Sequence, residues 1–356
     1  MNQSLVFKPD FAEAVKRWDA YFHHDLIGRP IVLATGRKRG SEKVRLFSTS
    51  YRAQNEAPID QLLDEALFNA EHTYYGGEAI PAYYPSIGPD EVGCFVGAEM
   101  RFEAGSEHTN WCVPFVTDWE KAFPLRIKED NPSWKRILAL YEAAGKRMMG
   151  KMLVYHVDLH TNLDLLASIR GREELCMDLY DSPELIDEAM RQSRAVFPVL
   201  WERLAKAGRM DEQGYWFGAY GKEGAAVLQC DFAALIGPDM FRRWALPALE
   251  EEASIVRRVI YHWDGPDMLR HTQLLVDSPF IDNLAYVPLP GDGGHIRHLD
   301  MLESLQKQGK SVVVAGTAEE CKAMHKRLKP NMTIYQVVTK TQSEAEEIVE
   351  WFEKNT

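Results

Sequence analysis

The sequence is poor in cysteine, lacks long apolar runs and has no excess of basic residues. Its five cysteines are scattered among 356 residues and form no C-x-x-C pair, which argues against a disulfide framework, a zinc finger or a redox dithiol. No stretch approaches the roughly 20 apolar residues that span a bilayer, and the amino terminus has no signal-peptide pattern. We therefore expect a cytoplasmic protein without a membrane partner. The net charge of −12 also argues against a nucleic-acid partner.

Nucleotide-binding motifs are absent as well. No G-x-G-x-x-G follows an apolar run and no G-x-x-x-x-G-K-[ST] occurs, so neither a dinucleotide-binding fold nor a P-loop is indicated. The chain has no repeat of fixed period and no Gly/Ser linker, and we expect one domain over residues 1–356. Seven short runs rich in Val, Ile and Tyr predict strands. They cover residues 30–35, 151–158, 225–231, 257–264, 280–287, 311–316 and 333–338.

Segments with helical spacing separate these runs. The predicted helices cover 10–24, 57–72, 184–208, a segment from Pro238, and 343–354, where Ser343 and Glu346 fit a capping box. Strand–helix alternation over 151–356 predicts an α/β fold with a parallel sheet, and the number of units favours a (β/α)8 TIM barrel. Residues 1–150 would supply N-terminal helical and loop additions and the first barrel units. The loop-rich stretch 81–97 is expected over the barrel mouth.

Polar side chains stand at the ends of the predicted strands. His262 and Asp264 end one strand, Asp231 ends another, and Asp158 and His160 follow a third. Because the carboxyl ends of barrel strands converge on one cavity, we expect these residues to form the catalytic site. His262 and Asp264 are two positions apart and so point the same way, where they can bind a metal or move a proton. Structural alternatives stay open, namely a hydrogen-bonded His–Asp pair that closes the barrel and a helix-capping role for Asp231.

Two further groups can contact a substrate. Arg37 and Arg39 follow the first strand and can bind an anion, although consecutive basic residues are commonly a solvated loop. Tyr84, Tyr215 and Trp216 can line a site for a flat or apolar ligand, although such aromatic residues more often belong to the core.

Three segments of the chain resemble the uroporphyrinogen decarboxylase superfamily. They are DLHTNLDLLASIRGREELCMDLYDSPELI (158–186), LQCDFAALIGPDMFRRWALPALEEE (228–252) and YHWDGPDMLRHTQLLVDSPFIDNLAYV (261–287). The resemblance implies a (β/α)8 barrel with N-terminal additions and, by analogy, a homodimer. Members of the superfamily include cofactor-free decarboxylases. Others are methyltransferases that exchange a methyl group with cobalamin on a separate corrinoid protein, and many of these use zinc to activate a thiol.

The sequence departs from both groups at defined positions. TGRKRG (35–40) stands where the decarboxylases carry an R-Q-A-G-R segment. Asp264 stands where thiol-activating methyltransferases carry the Cys of a His-x-Cys pair, and TIYQVVTKT (333–341) has no cysteine. Carboxylate in place of thiolate predicts a harder site, at His262 and Asp264, for zinc or another divalent metal.

These residues support three hypotheses of function. The first is a corrinoid-dependent methyltransferase that acts on a small O-, N- or S-methyl compound, with Asp231 and His160 supporting the metal-binding pair. The second is a decarboxylase or lyase that needs no metal. It would hold an anionic substrate with the basic residues 37–39 and stabilise a cationic intermediate with Asp231 or Asp158. The third is a barrel that binds a small ligand without turnover.

Overall fold

The structure is a computed structural model, and it describes residues 4–41, 50–103, 105, 107 and 109–356. Parts of the predicted N-terminal additions, at 1–3, 42–49, 104, 106 and 108, lie outside the described residues. The strands are β1 (Ile31–Arg37), β2 (Thr73–Gly77), β3 (Ala82–Tyr83), β4 (Glu99–Arg101), β5 (Trp111–Val113), β6 (Leu153–Val154), β7 (Tyr215–Trp216), β8 (Tyr220–Gly221), β9 (Ala226–Leu228), β10 (Val259–Asp264), β11 (Asn283–Val287), β12 (Ser311–Thr317) and β13 (Thr333–Val338).

The α-helices are α1 (Phe11–Phe22), α2 (Tyr51–Glu56), α3 (Ile59–His72), α4 (Glu91–Phe95), α5 (Trp119–Ala122), α6 (Pro132–Arg147), α7 (Leu163–Arg170), α8 (Arg172–Asp181), α9 (Pro183–Ala207), α10 (Met210–Gln213), α11 (Pro238–Met240), α12 (Leu246–Val256), α13 (Thr272–Val276), α14 (Leu299–Lys307), α15 (Ala318–His325) and α16 (Gln342–Asn355). A π-turn spans Phe241–Ala245, and 3-10 turns span Asp231–Leu235, Pro266–His271, His295–His298 and Pro330–Met332. No helix in the described part of the chain is long and apolar enough to cross a bilayer.

The centre of the fold is a seven-stranded sheet in the order β2-β1-β13-β12-β11-β10-β9. Neighbouring strands from β1 to β9 are parallel, and β2 lies antiparallel at one edge. A second parallel contact joins β3 to β6, and Tyr155 bridges to Trp216. The fold is therefore mixed α/β around a central parallel sheet. Hydrogen bonds among the described strands do not close this sheet into a ring, so the closed (β/α)8 barrel stays a prediction.

Apolar side chains pack on both faces of the sheet, as is usual for parallel sheets. The larger layer lies between the sheet and most of the helices and includes Val32 and Tyr261. The second layer contains Ile31, Ile260 and Ile334 from three strands together with Phe11, Trp18 and Tyr21 from α1. The helix α1 therefore covers part of the second face, and this is the face on which the site described below is built.

Strand alternation aims the polar end of β10 toward the second face. Tyr261 and Trp263 belong to the larger layer, and Ile260 belongs to the second layer. Successive side chains of a strand point to opposite faces. His262 and Asp264 therefore project on the same side as Ile260, as the sequence predicts.

A strand lies within each of the seven predicted runs, and the predicted helices are present with small shifts at their ends. Two of the strands are much shorter than predicted, since the run 151–158 is a strand only at Leu153–Val154 and the run 225–231 only at Ala226–Leu228. The segment predicted as a helix from Pro238 contains a π-turn at Phe241–Ala245. Pro247 follows this turn, and because proline has no N–H it cannot donate to the carbonyl four residues earlier, as a regular α-helix requires. The predicted capping box at Ser343 was wrong. Thr341 caps α16 instead, because its side chain accepts a hydrogen bond from the Glu344 backbone N–H. The extended backbone of Thr341 pairs with Arg37 at the end of β1, and the helix begins at the next residue.

Candidate functional site

A cavity of about 570 Å³ opens where β9 and β10 end. It is lined by Asp231 and His262 and, from the loop after β6, by Asp158 and His160. Four of the five residues predicted as catalytic therefore line one cavity, although their strands are far apart in the chain. The fifth, Asp264, adjoins Asp231 and His262.

Two further segments, at 81–97 and around β9, contribute lining residues. The stretch 81–97, predicted to lie over the barrel mouth, contributes Tyr84, Gly88 and Pro89. Val227 and Gln229 line the cavity together with Asp231. They do so because alternate residues of the extended chain at β9 share one face.

Asp231, His262 and Asp264 form a group of three potential metal ligands. One nitrogen or oxygen atom from each lies within 4.8 Å of the other two. Both aspartates are exposed and the histidine is half-buried, so a metal ion can reach them from solvent. A set of two carboxylates and one imidazole suits zinc or another divalent first-row ion. The predicted pair His262 and Asp264 is thus joined by a third donor from a neighbouring strand.

The protonation of two of these ligands is shifted by their surroundings. Burial lowers the pKa of His262, so the imidazole is neutral at pH 7, which is the form that binds metals. The Asp231 side chain reaches the cavity but is partly desolvated, and it faces the charged carboxylate of Asp164. Desolvation and this neighbouring charge together raise the pKa of Asp231 to about 7. Neighbouring carboxylates raise one another's pKa in this way, and a cation among them favours ionisation.

His160 lies between two carboxylates beside the three ligands. Its Nε2 is 3.1 Å from Asp158 Oδ2, and its Nδ1 is 3.1 Å from Asp164 Oδ2. Burial alone lowers the pKa of His160, but the two carboxylates outweigh burial and hold the pKa well above its ordinary value. The ring is therefore an imidazolium at pH 7. The Gln229 side-chain amide lies 2.6 Å from Nε2. A protonated imidazole ring donates hydrogen bonds and cannot accept them. The side-chain amide of Gln229 must therefore turn its oxygen toward His160.

Asp164 connects this histidine to the metal-ligand group. Its carboxylate accepts from the backbone N–H of Asp231 at 2.9 Å and from that of Phe232 at 2.7 Å. Its own backbone N–H donates to Asn162, which caps α7. Asp164 therefore holds the turn that carries Asp231, in the manner of a residue that orients a metal ligand.

Two buried glutamates lie close to the same charged network. Thr161 Oγ1 donates to Glu252 Oε1 at 2.8 Å, and the Ile87 backbone N–H donates to Glu91 Oε2 at 2.9 Å. Burial raises the pKa of each glutamate to about 8. Both are mainly neutral acids at pH 7, so the negative charge of the site belongs to its aspartates.

Three aromatic rings form one side of the cavity, named the aromatic wall below. Ring centroids are 5.3 Å apart for Tyr84 and Tyr155, 5.5 Å for Tyr155 and Phe217, and 6.0 Å for Tyr84 and Phe217. Tyr51 lines the cavity as well. No lysine or arginine of the described ranges is among the lining residues. The cavity thus combines an apolar side with an acidic side.

A second cavity of about 460 Å³ reaches the same network by another route. It shares Pro89, His160 and Asp231 with the first cavity, and its walls also include Asp164 and Arg172. Solvent therefore has two ways to His160 and Asp231.

The predicted arginines lie outside the first cavity. Arg37 and Arg39 are exposed at and after the end of β1. Arg39 forms an ion pair with Glu346 of α16 and donates to Ser343. Neither arginine is brought to the catalytic residues by the described part of the structure.

The predicted aromatic residues are divided among different surroundings. Tyr84 lines the first cavity. Tyr215 is buried and stacks on Trp201 with a centroid distance of 5.2 Å. Trp216 lines a separate cavity of about 470 Å³ that shares Tyr155 with the first. Of the three, only Tyr84 contacts the site.

Several residues of the site were missed by sequence reasoning, among them Asp164, Gln229, Glu91 and Tyr155. Asp164 could have been found from its position four residues after His160 at a helix start, which brings two side chains to one side. Gln229 could have been found from the alternation that ends at Asp231. Glu91 and Tyr155 carry no comparable signal, since each reaches the site through the folding of distant segments.

The chain is similar in structure to a methyltransferase from Methanosarcina mazei. The TM-score is 0.64, and the superposition covers 96% of this chain and 98% of that chain. Sequence identity is 12%, so the likeness shows a shared fold over nearly the whole of both proteins. No protein-family profile and no curated protein matches the sequence.

Proposed function

We propose that this protein is a methyltransferase that takes a methyl group from a small methylated compound and passes it to cobalamin on a separate corrinoid protein. The observation that carries the proposal is the group of Asp231, His262 and Asp264, which meets in a cavity where β9 and β10 end. The fold shared with a methyltransferase and the resemblance to the uroporphyrinogen decarboxylase superfamily support the same function.

Asp231, His262 and Asp264 would hold a divalent metal ion such as zinc. Their donor atoms are oxygen and nitrogen, and the absence of a thiolate from the group points to a harder ion site than zinc–thiolate. Such an ion, when bound, supplies Lewis acidity toward an oxygen or sulfur atom of the substrate, or toward the nitrogen of a neutral amine. The nitrogen of a methylated ammonium has no free electron pair for the metal until its C–N bond breaks. Asp164 would keep Asp231 in place through the backbone hydrogen bond at 2.9 Å.

His160 holds a proton beside these ligands. An oxygen or sulfur that loses its methyl group carries negative charge. The proton it needs can pass from His160 Nε2 through the Asp158 carboxylate, which lines the cavity. Asp158 and Asp164 fix the orientation of the ring from both nitrogens. An amine that leaves from an ammonium needs no proton, since the electron pair of the broken C–N bond makes it neutral. The aromatic wall would orient the substrate and exclude water.

The decarboxylase hypothesis has less support from the cavity. An anionic substrate would face Asp158 and Asp231, and no lysine or arginine of the described ranges lines the cavity to offset them. Arg39, predicted to hold substrate carboxylates, is paired with Glu346 instead.

The test is metal analysis of the purified protein beside His262→Ala, after dialysis against a weak chelator. We expect about one equivalent of a transition metal in the wild type and loss of most of it in the variant, with a nearly unchanged melting temperature. His298→Ala is a matched control because His298 pairs with Asp292 at 2.9 Å, away from the first cavity. It should retain the metal.

Methyl transfer is then measured with reduced cobalamin as acceptor and a panel of O-, N- and S-methyl compounds as donors. Demethylated product is quantified by mass spectrometry. Product formed by the wild type and His298→Ala but not by His262→Ala supports the proposal. Metal-free wild-type protein would contradict the metal-assisted chemistry. Ligand binding that persists in both Asp231→Ala and His262→Ala, without product from any donor, would favour the binding-only hypothesis.

A further inference from the structure

The acidic side of the cavity has an excess of negative charge. It contains four aspartates, at 158, 164, 231 and 264, and the single imidazolium of His160, which contacts Asp158 and Asp164. The four carboxylates carry four negative charges, and the imidazolium carries one positive charge. A divalent ion held by Asp231, His262 and Asp264 would add two positive charges, so one negative charge would remain. A cationic substrate is attracted to such a site, whereas a neutral ether or thioether gains nothing from the charge and an anion is repelled.

The aromatic wall has the geometry to receive a cation with an apolar surface. The rings of Tyr155 and Phe217 are inclined by 85°, those of Tyr84 and Tyr155 by 67°, and those of Tyr84 and Phe217 by 41°. All three rings line the cavity, so a molecule bound there lies against them. A cation within about 6 Å of a ring centroid is attracted by the negative face of the ring. Methyl groups on a charged nitrogen spread its charge over an apolar surface, which suits this wall.

The two sides of the cavity are close to each other. Asp158 lines the cavity together with Tyr51 and Tyr84. One small molecule can therefore touch rings and carboxylates at the same time.

We infer that the cavity binds a methylated ammonium compound, with its charged nitrogen between the aromatic wall and Asp158. This assignment rests on the proposed methyl transfer, and it selects the N-methyl class from the three classes of donor considered above.

The experiment compares two probes of the same shape by isothermal titration calorimetry on the protein as purified. Choline carries a quaternary nitrogen, and 3,3-dimethyl-1-butanol has a carbon atom in its place. We expect choline to bind at least about tenfold more tightly, because only choline gains the cation–π and carboxylate interactions. Tetramethylammonium should compete with choline.

Two substitutions at Tyr84 separate the effect of the ring face from that of bulk. In Tyr84→Phe the ring is retained, and the preference for choline should persist. In Tyr84→Leu the apolar bulk is retained but the ring is lost, and the preference should fall several-fold. Phe217→Leu provides an independent second variant. Melting temperatures confirm that each variant is folded.

Several outcomes would overturn the assignment to a methylated ammonium. These are equal or tighter binding of the neutral probe, a preference for choline that is unchanged in both leucine variants, and no measurable binding of either choline or tetramethylammonium. The titration requires neither a methyl acceptor nor turnover. A protein that prefers choline but contains no metal and transfers no methyl group would therefore refute the proposed function and leave the binding assignment standing. Methyl transfer from ethers alone, without a preference for choline, would support the proposed function and refute the assignment of a methylated ammonium.

Discussion

Replacing Glu252 by glutamine tests whether this buried side chain is a neutral acid in the folded protein. Glu252 lies on α12, is 2% exposed, and its Oε1 accepts from Thr161. Among the described residues its Oε2 has no hydrogen-bond partner. Burial, followed by the charges of nearby aspartates, raises its pKa to about 8 from an ordinary value of 4.5. Glutamine has nearly the same shape and can still accept from Thr161, so the substitution removes the titration with little change in packing.

The magnitude follows from the two pKa values. A difference of one pH unit corresponds to about 1.4 kcal/mol, so the whole interval is about 5 kcal/mol. Because the folded pKa is higher than the unfolded pKa, the stabilising proton is fully present below 4.5, and its contribution is lost as the pH rises to about 8. Relative to the wild type, Glu252→Gln should therefore become more stable by about 3 kcal/mol between pH 4.5 and pH 7. It should gain about 1 kcal/mol more by pH 8, where half of the wild-type side chains have lost the proton.

The assay is urea unfolding followed by tryptophan fluorescence, at intervals from about pH 5 to about pH 9, for both proteins in parallel. Glu250 is exposed on the same helix, and Glu250→Gln is the control whose difference from the wild type should not change over this range. The quantity to compare is the free energy of unfolding of Glu252→Gln minus that of the wild type. If this difference does not change with pH, or falls as the pH rises, Glu252 is not a neutral acid in the folded protein.

Three further predictions concern other positions. Burial lowers the pKa of His156 to about 4 in the folded protein, from about 6.5 in the unfolded chain. The neutral imidazole therefore favours the folded state above pH 6.5, and this stabilisation is lost as the pH falls from about 6.5 to 4. His156→Phe should remove about 3 kcal/mol of this acid-side loss in the same urea assay. A Cβ at Gly36 would lie 2.4 Å from the Thr341 backbone, and Gly36→Ala should cost about 1–3 kcal/mol, read as a lower melting temperature. Asp164→Asn removes one of the two charges that raise the pKa of His160, and an NMR titration of the imidazole should show a lower pKa.

The group of three potential metal ligands could be predicted from sequence because its members stand at strand ends. His262, Asp264 and Asp231 follow short apolar runs, and period-two alternation with parallel pairing brings them together. Both rules depend on local pattern, which a sequence shows directly. The same reasoning placed Asp158 and His160 near the cavity.

Only part of the aromatic wall could be predicted from sequence: Tyr84 was predicted to contact a substrate, and Tyr155 was missed. Tyr84, Tyr155 and Phe217 come from three separate segments, and their contacts depend on how β3, β6 and the turn after β7 pack. Tyr215 and Trp216 stand next to Phe217 and have equal aromatic character, yet the first is buried and the second lines another cavity. Composition does not distinguish them, because the direction of each side chain is set by the backbone of a two-residue strand.

The second opening to His160 and Asp231 has a consequence for the timing of proton exchange. A compound that fills the first cavity covers one approach to His160, but the other approach passes Asp164 and Arg172 and does not include the aromatic wall. For an oxygen or sulfur leaving group, which needs a proton, His160 can therefore give up its proton and regain one from bulk water while the product is still bound. Reprotonation then need not wait for product release, and the two steps can occur in either order.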